Sequence, residues 1–297
     1  MPPSITSEVI GAGSEVDYRG RMLGSVRPVG DLLRDWRQRR RLSQLHLALE
    51  AEISARHLSF LETGRARPSR EMVLRLAEHL QVPLRERNAM LNAAGYAPAF
   101  AERPLDDPAL ASARAAVELV LTGHEPFPAL AIDRHWTLVA ANRVVAPLLA
   151  GIDASLLRPP VNVLRLSLHP LGLAPRIANL AEWRAHLLLR LRQQVDATAD
   201  PGLAGLLNEL RSYPGAAEAT GGEPRSVRDY AGIVVPFELR TPAGTLALFG
   251  TTTVFGTPVD ITLSELAVES FFPADAATAE ILRRAAGSAT VEGASPD

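Results

Sequence analysis

Apolar residues recur every three or four positions through the first third of the chain, with short polar breaks between the repeats. This spacing is typical of amphipathic helices that bury one face. A first helix is predicted over 28–41, where Leu32, Leu33 and Trp36 form the apolar stripe. Ser commonly caps the start of a helix, Pro opens one and Gly follows its end. Four more helices are therefore predicted, starting after Ser43, Ser54 and Ser69 and at Pro83, with the last one ending at Gly95.

Beyond residue 108 the period of the pattern changes along the chain. A helix is predicted over 109–121, followed by two strands at 129–133 and 136–142. Three helices come next, of which the longest covers 176–195. The sequence then predicts three more strands, at 233–241, 245–255 and 261–270, the first two forming a hairpin that turns at Pro242-Ala243-Gly244. One short helix is expected after residue 272, and then disorder.

These elements divide the chain into two domains, which suits its length of 297 residues. The first is an all-α domain of five helices. The second is an α+β domain whose sheet carries its helices on one side, an order compatible with a PAS-like sensor and with other α+β folds. The predicted boundaries are a disordered arm at 1–26, the helical domain at 27–95, a Pro-rich linker at 96–108, the PAS-like domain at 109–278 and a flexible tail at 279–297.

Charge is distributed unevenly along the chain. Residues 27–103 contain 14 Arg against 9 acidic residues, a local charge of +5, although the whole chain has a net charge of −2. A basic first domain suits a polyanionic partner such as DNA. The absence of cysteine excludes disulfides, thiolate metal sites and thiol nucleophiles. The start does not resemble a signal peptide and no run of about 18 apolar residues occurs, so we expect a cytoplasmic protein without a membrane partner.

Residues 42–69 read as two short helices on either side of a tight turn. In helix-turn-helix geometry, the first residues of the second helix face the base edges in the major groove of DNA. In this sequence those residues are Ala55, Arg56 and His57, with Ser59 one turn further along. Arg56 is suited to a bidentate contact with guanine. The pattern therefore predicts a double-stranded DNA operator as partner.

Several positions in this stretch resemble the Xre-type, lambda-repressor-like helix-turn-helix pattern. They are Ser43-Gln44, Leu47-Ala48, Ile53-Ser54, Leu58-Ser59, Glu62-Thr63-Gly64 and Pro68-Ser69. The resemblance implies that Gln44 contacts a phosphate while Arg56, with Ala55, His57 and Ser59, reads bases; Ser54 and Arg65 complete the predicted DNA-binding set. Glu52 departs from the pattern, which usually has Gly in the turn. The structural alternative is a helical pair that only packs.

Segments of the second domain resemble the MmyB-like ligand-binding domain. They include Pro128-Ala129-Leu130, Asp133-Arg134-His135-Trp136, Ala140-Ala141-Asn142, His169-Pro170, Arg176-Ile177-Ala178-Asn179, Trp183, Phe255-Gly256-Thr257-Pro258 and 269–275. With the helix-turn-helix and Gly95-Tyr96-Ala97-Pro98 at the junction, the resemblance covers about 29–278. It implies a bacterial transcription regulator whose PAS-like C-terminal domain can hold an apolar small molecule.

A PAS-like sheet covered by the long helix predicts an apolar pocket. The predicted lining residues are Trp136, Trp183, Leu187, Phe237, Phe249 and Phe255, and the predicted polar anchors, for instance for a carboxylate, are Asn142, His169 and Arg176. No cofactor is expected, only an apolar effector such as a fatty acid. The alternative is that the aromatic residues simply fill the core.

Motifs of catalysis are missing from the sequence. Neither metal-ligand spacings such as HExxH nor a nucleophile elbow nor a phosphate-binding Gly loop occurs. The expected function is a sequence-specific transcription regulator, not an enzyme. Because one recognition helix reads too few base pairs, we expect a homodimer on an inverted repeat. Two alternatives stay open: an enzyme fused to a DNA-binding domain, and a constitutive DNA-binding scaffold whose second domain serves only dimerisation and protein interaction.

Overall fold

The computed structural model of the chain describes residues 27–214, 235–256 and 260–292, with side chains as far as residue 286. The predicted arm at 1–26 and the first two residues of the strand predicted at 233–241 lie outside these ranges. So do the last five residues of the predicted tail.

Five helices build the first domain, as predicted. They are α1 (Val29–Arg39), α2 (Gln44–Glu50), α3 (Ala55–Glu62), α4 (Arg70–His79) and α5 (Leu84–Ala93). The hydroxyls of Ser43, Ser54 and Ser69 each accept a hydrogen bond of 3.1 Å from the backbone N–H three residues later, so all three predicted N-caps are confirmed. Pro83 precedes α5, and Gly95 follows it with a left-handed φ of 86°.

The helices of this domain enclose one apolar core. Their inward faces supply Leu33, Trp36, Leu47, Ala48, Leu58, Leu61, Leu76, Met90 and Leu91, each at most 4% exposed. Leu33 and Trp36 come from the apolar stripe predicted for the first helix. The core fixes α2 and α3 against α1, so the polar start of α3 is left at the surface.

The second domain contains one antiparallel sheet of five strands among its described residues. They are β1 (Ala129–Ile132), β2 (Leu138–Ala141), β3 (Phe237–Thr241), β4 (Gly244–Val254) and β5 (Ala267–Pro273), in the spatial order β2-β1-β5-β4-β3. The helices are α6 (Ala111–Gly123), α7 (Val145–Leu148), α8 (Val163–Leu168), α9 (Leu180–Thr198), α10 (Pro201–Ser212), α11 (Ile261–Ser264) and α12 (Ala276–Glu292). The α+β class and the hairpin turning at Pro242-Ala243-Gly244 are confirmed.

The two faces of the sheet pack against different helices. Side chains of a strand alternate between faces, and Leu239 and Leu248 join the leucines of α8, α9 and α10 in the larger core. The opposite face presents Ala131 and Val268 to Val117 of α6. The prediction that all helices lie on one side is therefore wrong, because α6 needs a second apolar surface for its own stripe.

The C-terminal part of the domain differs from the prediction in two elements. The strand predicted at 261–270 is replaced by α11 and by β5, which starts later, at Ala267. Asp260 causes this difference: its carboxylate accepts the N–H of Thr262 and caps a short helix. α12 extends to Glu292, into the range predicted as a flexible tail from 279 onward, and its first turn packs on β4 through the buried Thr278.

Candidate DNA-binding surface and ligand cavity

The turn between α2 and α3 has the backbone that a helix-turn-helix requires. Glu52, which departs from the usual Gly, adopts the left-handed conformation with φ of 53°. Left-handed backbone costs a non-Gly residue about 1–2 kcal/mol, and the surrounding contacts hold it in place. The N–H of Ile53 donates to the carbonyl of Ala48 at 2.9 Å. The departure from the sequence pattern thus leaves the turn intact.

The predicted base-reading residues lie together at the start of α3. Arg56 is exposed, while Ala55, His57 and Ser59 are partly exposed. Ser54 accepts the N–H of His57 and so serves as the helix cap. These positions suit a contact with a groove, but their roles towards DNA stay a prediction.

Phe60 brings two of the predicted DNA-binding arginines together. The Cζ atoms of Arg56 and Arg65 lie 5.3 Å and 5.9 Å from the centre of its ring, and both arginines are exposed. Guanidinium groups are attracted to aromatic faces at such distances. Phe60 was not predicted as a site residue. Its spacing of four residues from Arg56 on one helix face is the signal that could have identified it.

Gln44 is held by a buried network at the base of this surface. Its Nε2 donates to Oε2 of Glu62 at 2.8 Å, and Arg37 of α1 donates to both carboxylate oxygens of Glu62 at 2.6 Å and 2.8 Å. Burial alone would raise the pKa of Glu62. The hydrogen bonds from Arg37 and Gln44, with the charges of Arg37 and Arg34, outweigh it and lower that pKa. The amide of Gln44 is therefore positioned before any phosphate arrives.

An apolar cavity of about 340 Å³ lies between the sheet and α9. Ligand pockets in proteins commonly measure about 300–1,000 Å³. Four predicted lining residues, Trp136, Trp183, Leu187 and Phe237, contribute to its wall. Whether a ligand contacts them stays a prediction.

One corner of the cavity is polar. Arg190 of α9 donates to Oε2 and Oε1 of Glu269 at 3.0 Å and 2.5 Å and to Oγ1 of Thr252 at 2.7 Å. Its Cζ lies 4.7 Å from the centre of the Trp136 ring. His186 lines the same cavity and stacks on Trp183 at 5.5 Å. Burial, followed by the charge of Arg190, lowers the pKa of His186, so the ring is neutral at physiological pH.

None of Arg190, Glu269, Thr252 and His186 was predicted to bind a ligand. Trp183, His186, Leu187 and Arg190 recur at the spacing of one helix face, which is the signal that could have found the two polar members on α9. Glu269 and Thr252 come from strands 79 and 62 residues away from Arg190 in sequence. No local pattern joins them.

The three predicted polar anchors do not line this cavity. The side chain of Asn142 accepts the N–H of Ala129 and donates to the carbonyls of Leu121 and Phe127. Its three bonds tie β1 to the end of α6 and use both amide donors, and the side chain does not line the cavity. The prediction for Asn142 is therefore corrected to a structural role.

Arg176 and His169 also hold backbone groups. The guanidinium of Arg176 donates to the carbonyls of Leu148, Ala150 and Arg240. His169 Nδ1 accepts the N–H of Leu171, which is the loop-anchor arrangement that His169-Pro170 suggests. Arg176 therefore does not bind a carboxylate in this cavity as predicted, because its side chain lies outside the cavity wall and three of its five N–H donors hold carbonyl oxygens.

Phe249 and Phe255 lie on the other side of the sheet. Leu248 and Gly250 face the cavity, so Phe249 between them must face away; it pairs with Phe272 of β5 and stacks on its ring at 5.4 Å. Phe255 follows the end of β4 and packs against the α6 cluster. Both predictions are wrong because they counted aromatic residues without assigning the face of the strand.

Polar contacts connect the cavity to the DNA-binding domain. Trp136 donates its indole N–H to Oε1 of Gln194, and Gln194 donates to the carbonyl of Arg134, both at 2.8 Å. The side chain of Arg134 lies 3.7 Å from Glu265. Glu265 accepts two hydrogen bonds from Arg85 of α5, at 2.8 Å and 2.9 Å. We call these five residues the relay.

The residues predicted as a linker contact the second domain. Ala101 forms a β-bridge with Asp260, and Arg103 donates to the carboxylate of Asp260 at 3.0 Å. Glu102 pairs with Arg85 at 2.6 Å. Arg85 of α5 therefore pairs with Glu102 as well as with Glu265, and the two ion pairs hold α5 against the second domain.

In the ranges 27–214, 235–256 and 260–292, no helix has the length and apolar character to cross a membrane. Within the same ranges, no group of at least three His, Asp or Glu side chains could hold a metal ion.

A helix-turn-helix with an exposed cationic start of its second helix, joined to a PAS-like domain with an apolar cavity, defines a DNA-binding transcription regulator. Comparison with family models agrees: a helix-turn-helix domain matches residues 28–90, and the MmyB-like transcription regulator ligand binding domain matches 113–285. The chain belongs to the family of MmyB-like transcription regulators, as the sequence resemblance implied. No curated protein matches the chain.

Proposed function

We propose that this regulator binds a double-stranded operator as a homodimer in the cytoplasm and that an apolar small molecule in its cavity changes the affinity for DNA. The observation that carries the proposal is the exposed start of α3, where Arg56 and Arg65 lie on Phe60. The matched families are those of regulators, so we assign the protein no catalytic step.

In this proposal Arg56 gives sequence preference. Its guanidinium presents two parallel N–H donors, which fit the O6 and N7 acceptors of guanine. The cation–π contact with Phe60 limits the number of side-chain conformations and so lowers the entropy lost on binding. Gln44 would contact a phosphate through the part of its amide that Glu62 does not use. Phosphate contacts orient the protein but carry no sequence information.

A dimer would double the length of DNA that is read. Two recognition helices on one face of B-DNA contact half-sites about 34–36 Å apart, one helical turn. We propose an operator with inverted half-sites at that spacing. In this proposal the pairing surface of the second domain is on α6, which exposes the neighbouring apolar side chains of Leu119 and Val120.

A ligand would act through the relay. Filling the cavity presses on Trp136, whose indole N–H is bonded to Gln194. A change there moves Arg134 and with it the Glu265 partner of Arg85 in α5. Such a ligand shifts the equilibrium only by the difference in its affinity for the DNA-competent and incompetent arrangements.

The DNA-reading roles are tested with two single variants on a panel of duplexes. Arg56→Ala should relax preference at one base position, costing about 1–3 kcal/mol on the preferred duplex and little on the others. Gln44→Ala should weaken binding to all duplexes alike. Arg75→Ala, an exposed arginine of α4 outside the proposed surface, is the control. Equal losses for both variants on every duplex would refute these assignments.

The constitutive scaffold is the second candidate, favoured by Trp136, Trp183 and Phe237, which are buried members of the second core as well as wall residues of the cavity. Native mass spectrometry of the full chain separates the two. A co-purified adduct of lipid size supports the sensor, as does a change in operator affinity when the adduct is extracted. A dimer that carries no adduct and binds DNA equally before and after lipid extraction supports the scaffold.

A further inference from the structure

The cavity wall is apolar except at one corner, which decides the charge of the molecule that it can take. Glu269, Thr252 and Arg190 form this corner, and we call them the polar corner. Ser167 and His186 are the other polar side chains on the wall. An elongated ligand would place its apolar part along the wall and its polar group here.

The positive charge of Arg190 is already compensated inside the polar corner. Its guanidinium contacts both oxygens of Glu269, and Thr252 donates its hydroxyl to Oε1 of Glu269 at 3.0 Å. Glu269 is 6% exposed, so water screens its negative charge little. The corner therefore has polar hydrogen-bonding groups and no net charge.

His186 adds a neutral hydrogen-bonding group to the same wall. Its ring stacks on Trp183 and makes no hydrogen bond within the described part of the chain. A neutral imidazole has one donor and one acceptor nitrogen. It can thus serve the hydroxyl or carbonyl of a ligand without changing the charge of the site.

A carboxylate would fit this corner poorly. It would bring a second negative charge next to the buried Glu269, where like charges repel strongly in a low dielectric. It would also have to compete with Glu269 for Arg190. An uncharged hydroxyl or carbonyl loses little on entering, because His186 and the remaining N–H groups of Arg190 can bond to it.

Building on the sensor function proposed above, we infer that the cavity binds an uncharged amphiphile, an apolar chain or ring with one hydroxyl or carbonyl group, and discriminates against carboxylates. A water-sized group takes about 30 Å³ in the liquid, so a cavity of 340 Å³ holds about eleven such groups. Straight-chain 1-decanol has that size. Decanoate has nearly the same length and differs by its charge.

The test measures binding of 1-decanol and decanoate to the lipid-extracted full chain at pH 8, where decanoate is fully ionised. Trp136 and Trp183 line the cavity, so their fluorescence reports occupancy. We expect decanol to bind at least tenfold more tightly than decanoate. In Glu269→Gln, which leaves the charge of Arg190 uncompensated, the preference should shift towards decanoate by at least tenfold.

Glu209→Gln is the matched control. Glu209 forms a similar two-bond pair with Arg165, at 2.7 Å for both bonds, but does not line the cavity. Glu209→Gln should leave the preference for decanol over decanoate unchanged. If the wild type binds decanoate as tightly as decanol, the inference is overturned and the sensor function stands. The same holds if a folded Glu269→Gln keeps the wild-type preference for decanol. Binding of neither probe overturns both.

Discussion

Glu62 connects three helices of the DNA-binding domain, so its removal should destabilise that domain strongly. The carboxylate is at the end of α3, Arg37 is in α1 and Gln44 begins α2. The side chain of Glu62 is 0% exposed and that of Arg37 is 11% exposed. Glu62→Ala would leave the guanidinium of Arg37 largely buried without its counter-charge.

The size of the effect follows from that burial. Breaking a buried ion pair by removing one partner costs about 3–5 kcal/mol. A domain of about 70 residues has a total stability of roughly 3–10 kcal/mol. Solvent screening reduces this cost little, because water reaches neither partner freely. We therefore expect Glu62→Ala to remove at least about 3 kcal/mol, which unfolds a large share of the domain locally.

Hydrogen exchange measured by mass spectrometry on the full chain can isolate this effect. Peptides from α1 to α3 should lose protection by on the order of 100-fold, since 1.36 kcal/mol corresponds to a factor of ten. Peptides from α9 serve as an internal reference and should not change. The matched variant is Asp35→Ala, which removes from α1 the partner of an exposed ion pair with Arg27 and should change protection little. Equal loss of protection in Glu62→Ala and Asp35→Ala would refute the reasoning.

Three further predictions concern packing, buried polarity and pH. A Cβ at Gly30 would lie 2.5 Å from the carbonyl oxygen of Leu61, so Gly30→Ala should lower the stability of the domain by about 1–3 kcal/mol in thermal unfolding followed by circular dichroism. Asn142→Leu removes the side-chain partner of the Ala129 N–H and of the Leu121 and Phe127 carbonyls and should lower the urea midpoint of the second domain, at about 1–3 kcal/mol for each group left unpaired. The lowered pKa of Glu62 stabilises the fold above the unfolded pKa of about 4.3 and is lost as pH falls through the lower folded value. The protection of amides in α1 to α3, relative to their intrinsic exchange rate at the same pH, should therefore fall in acid.

Each of these predictions has a clear contrary outcome. Unchanged melting of Gly30→Ala, compared with Gly123→Ala, where the added Cβ meets no atom within 4 Å, would contradict the close approach of α1 and α3. A urea midpoint of Asn142→Leu equal to that of the wild type would show that other groups replace the three bonds. Acid sensitivity that persists in a folded Glu62→Gln would assign the effect to another carboxylate.

Local sequence signals predicted the helical domain well. Ser43, Ser54 and Ser69 occupy the caps that their positions before apolar repeats indicate. Capping depends on residues three apart, so a single sequence contains all of the information. Glu52 shows the converse: the family pattern favours Gly there, yet the tertiary contacts of α2 and α3 impose the left-handed backbone on it.

The cavity was harder to predict because its residues meet only through the sheet. Trp136, Trp183, Leu187 and Phe237 were found as large apolar residues in plausible elements. Phe249 was misplaced because a shift of one residue along a strand changes the face.

The polar groups were misassigned for a different reason. Arg176 was predicted from its charge, but three of its donors hold carbonyls up to 64 residues away in sequence, outside the cavity. Arg190 and Glu269 pair across 79 residues. Such pairings depend on the tertiary fold and leave no spacing in the sequence.

The most direct test of the central claim is selection of DNA by the full chain from a pool of randomised duplexes, followed by affinity measurement at one fixed salt concentration. The account predicts enrichment of an inverted repeat with half-sites about ten base pairs apart. It also predicts an affinity for that repeat at least about 10³-fold above that for unselected DNA. Arg56→Ala should reduce the preference at one guanine in each half-site. Equal affinity for selected and unselected duplexes would contradict the account.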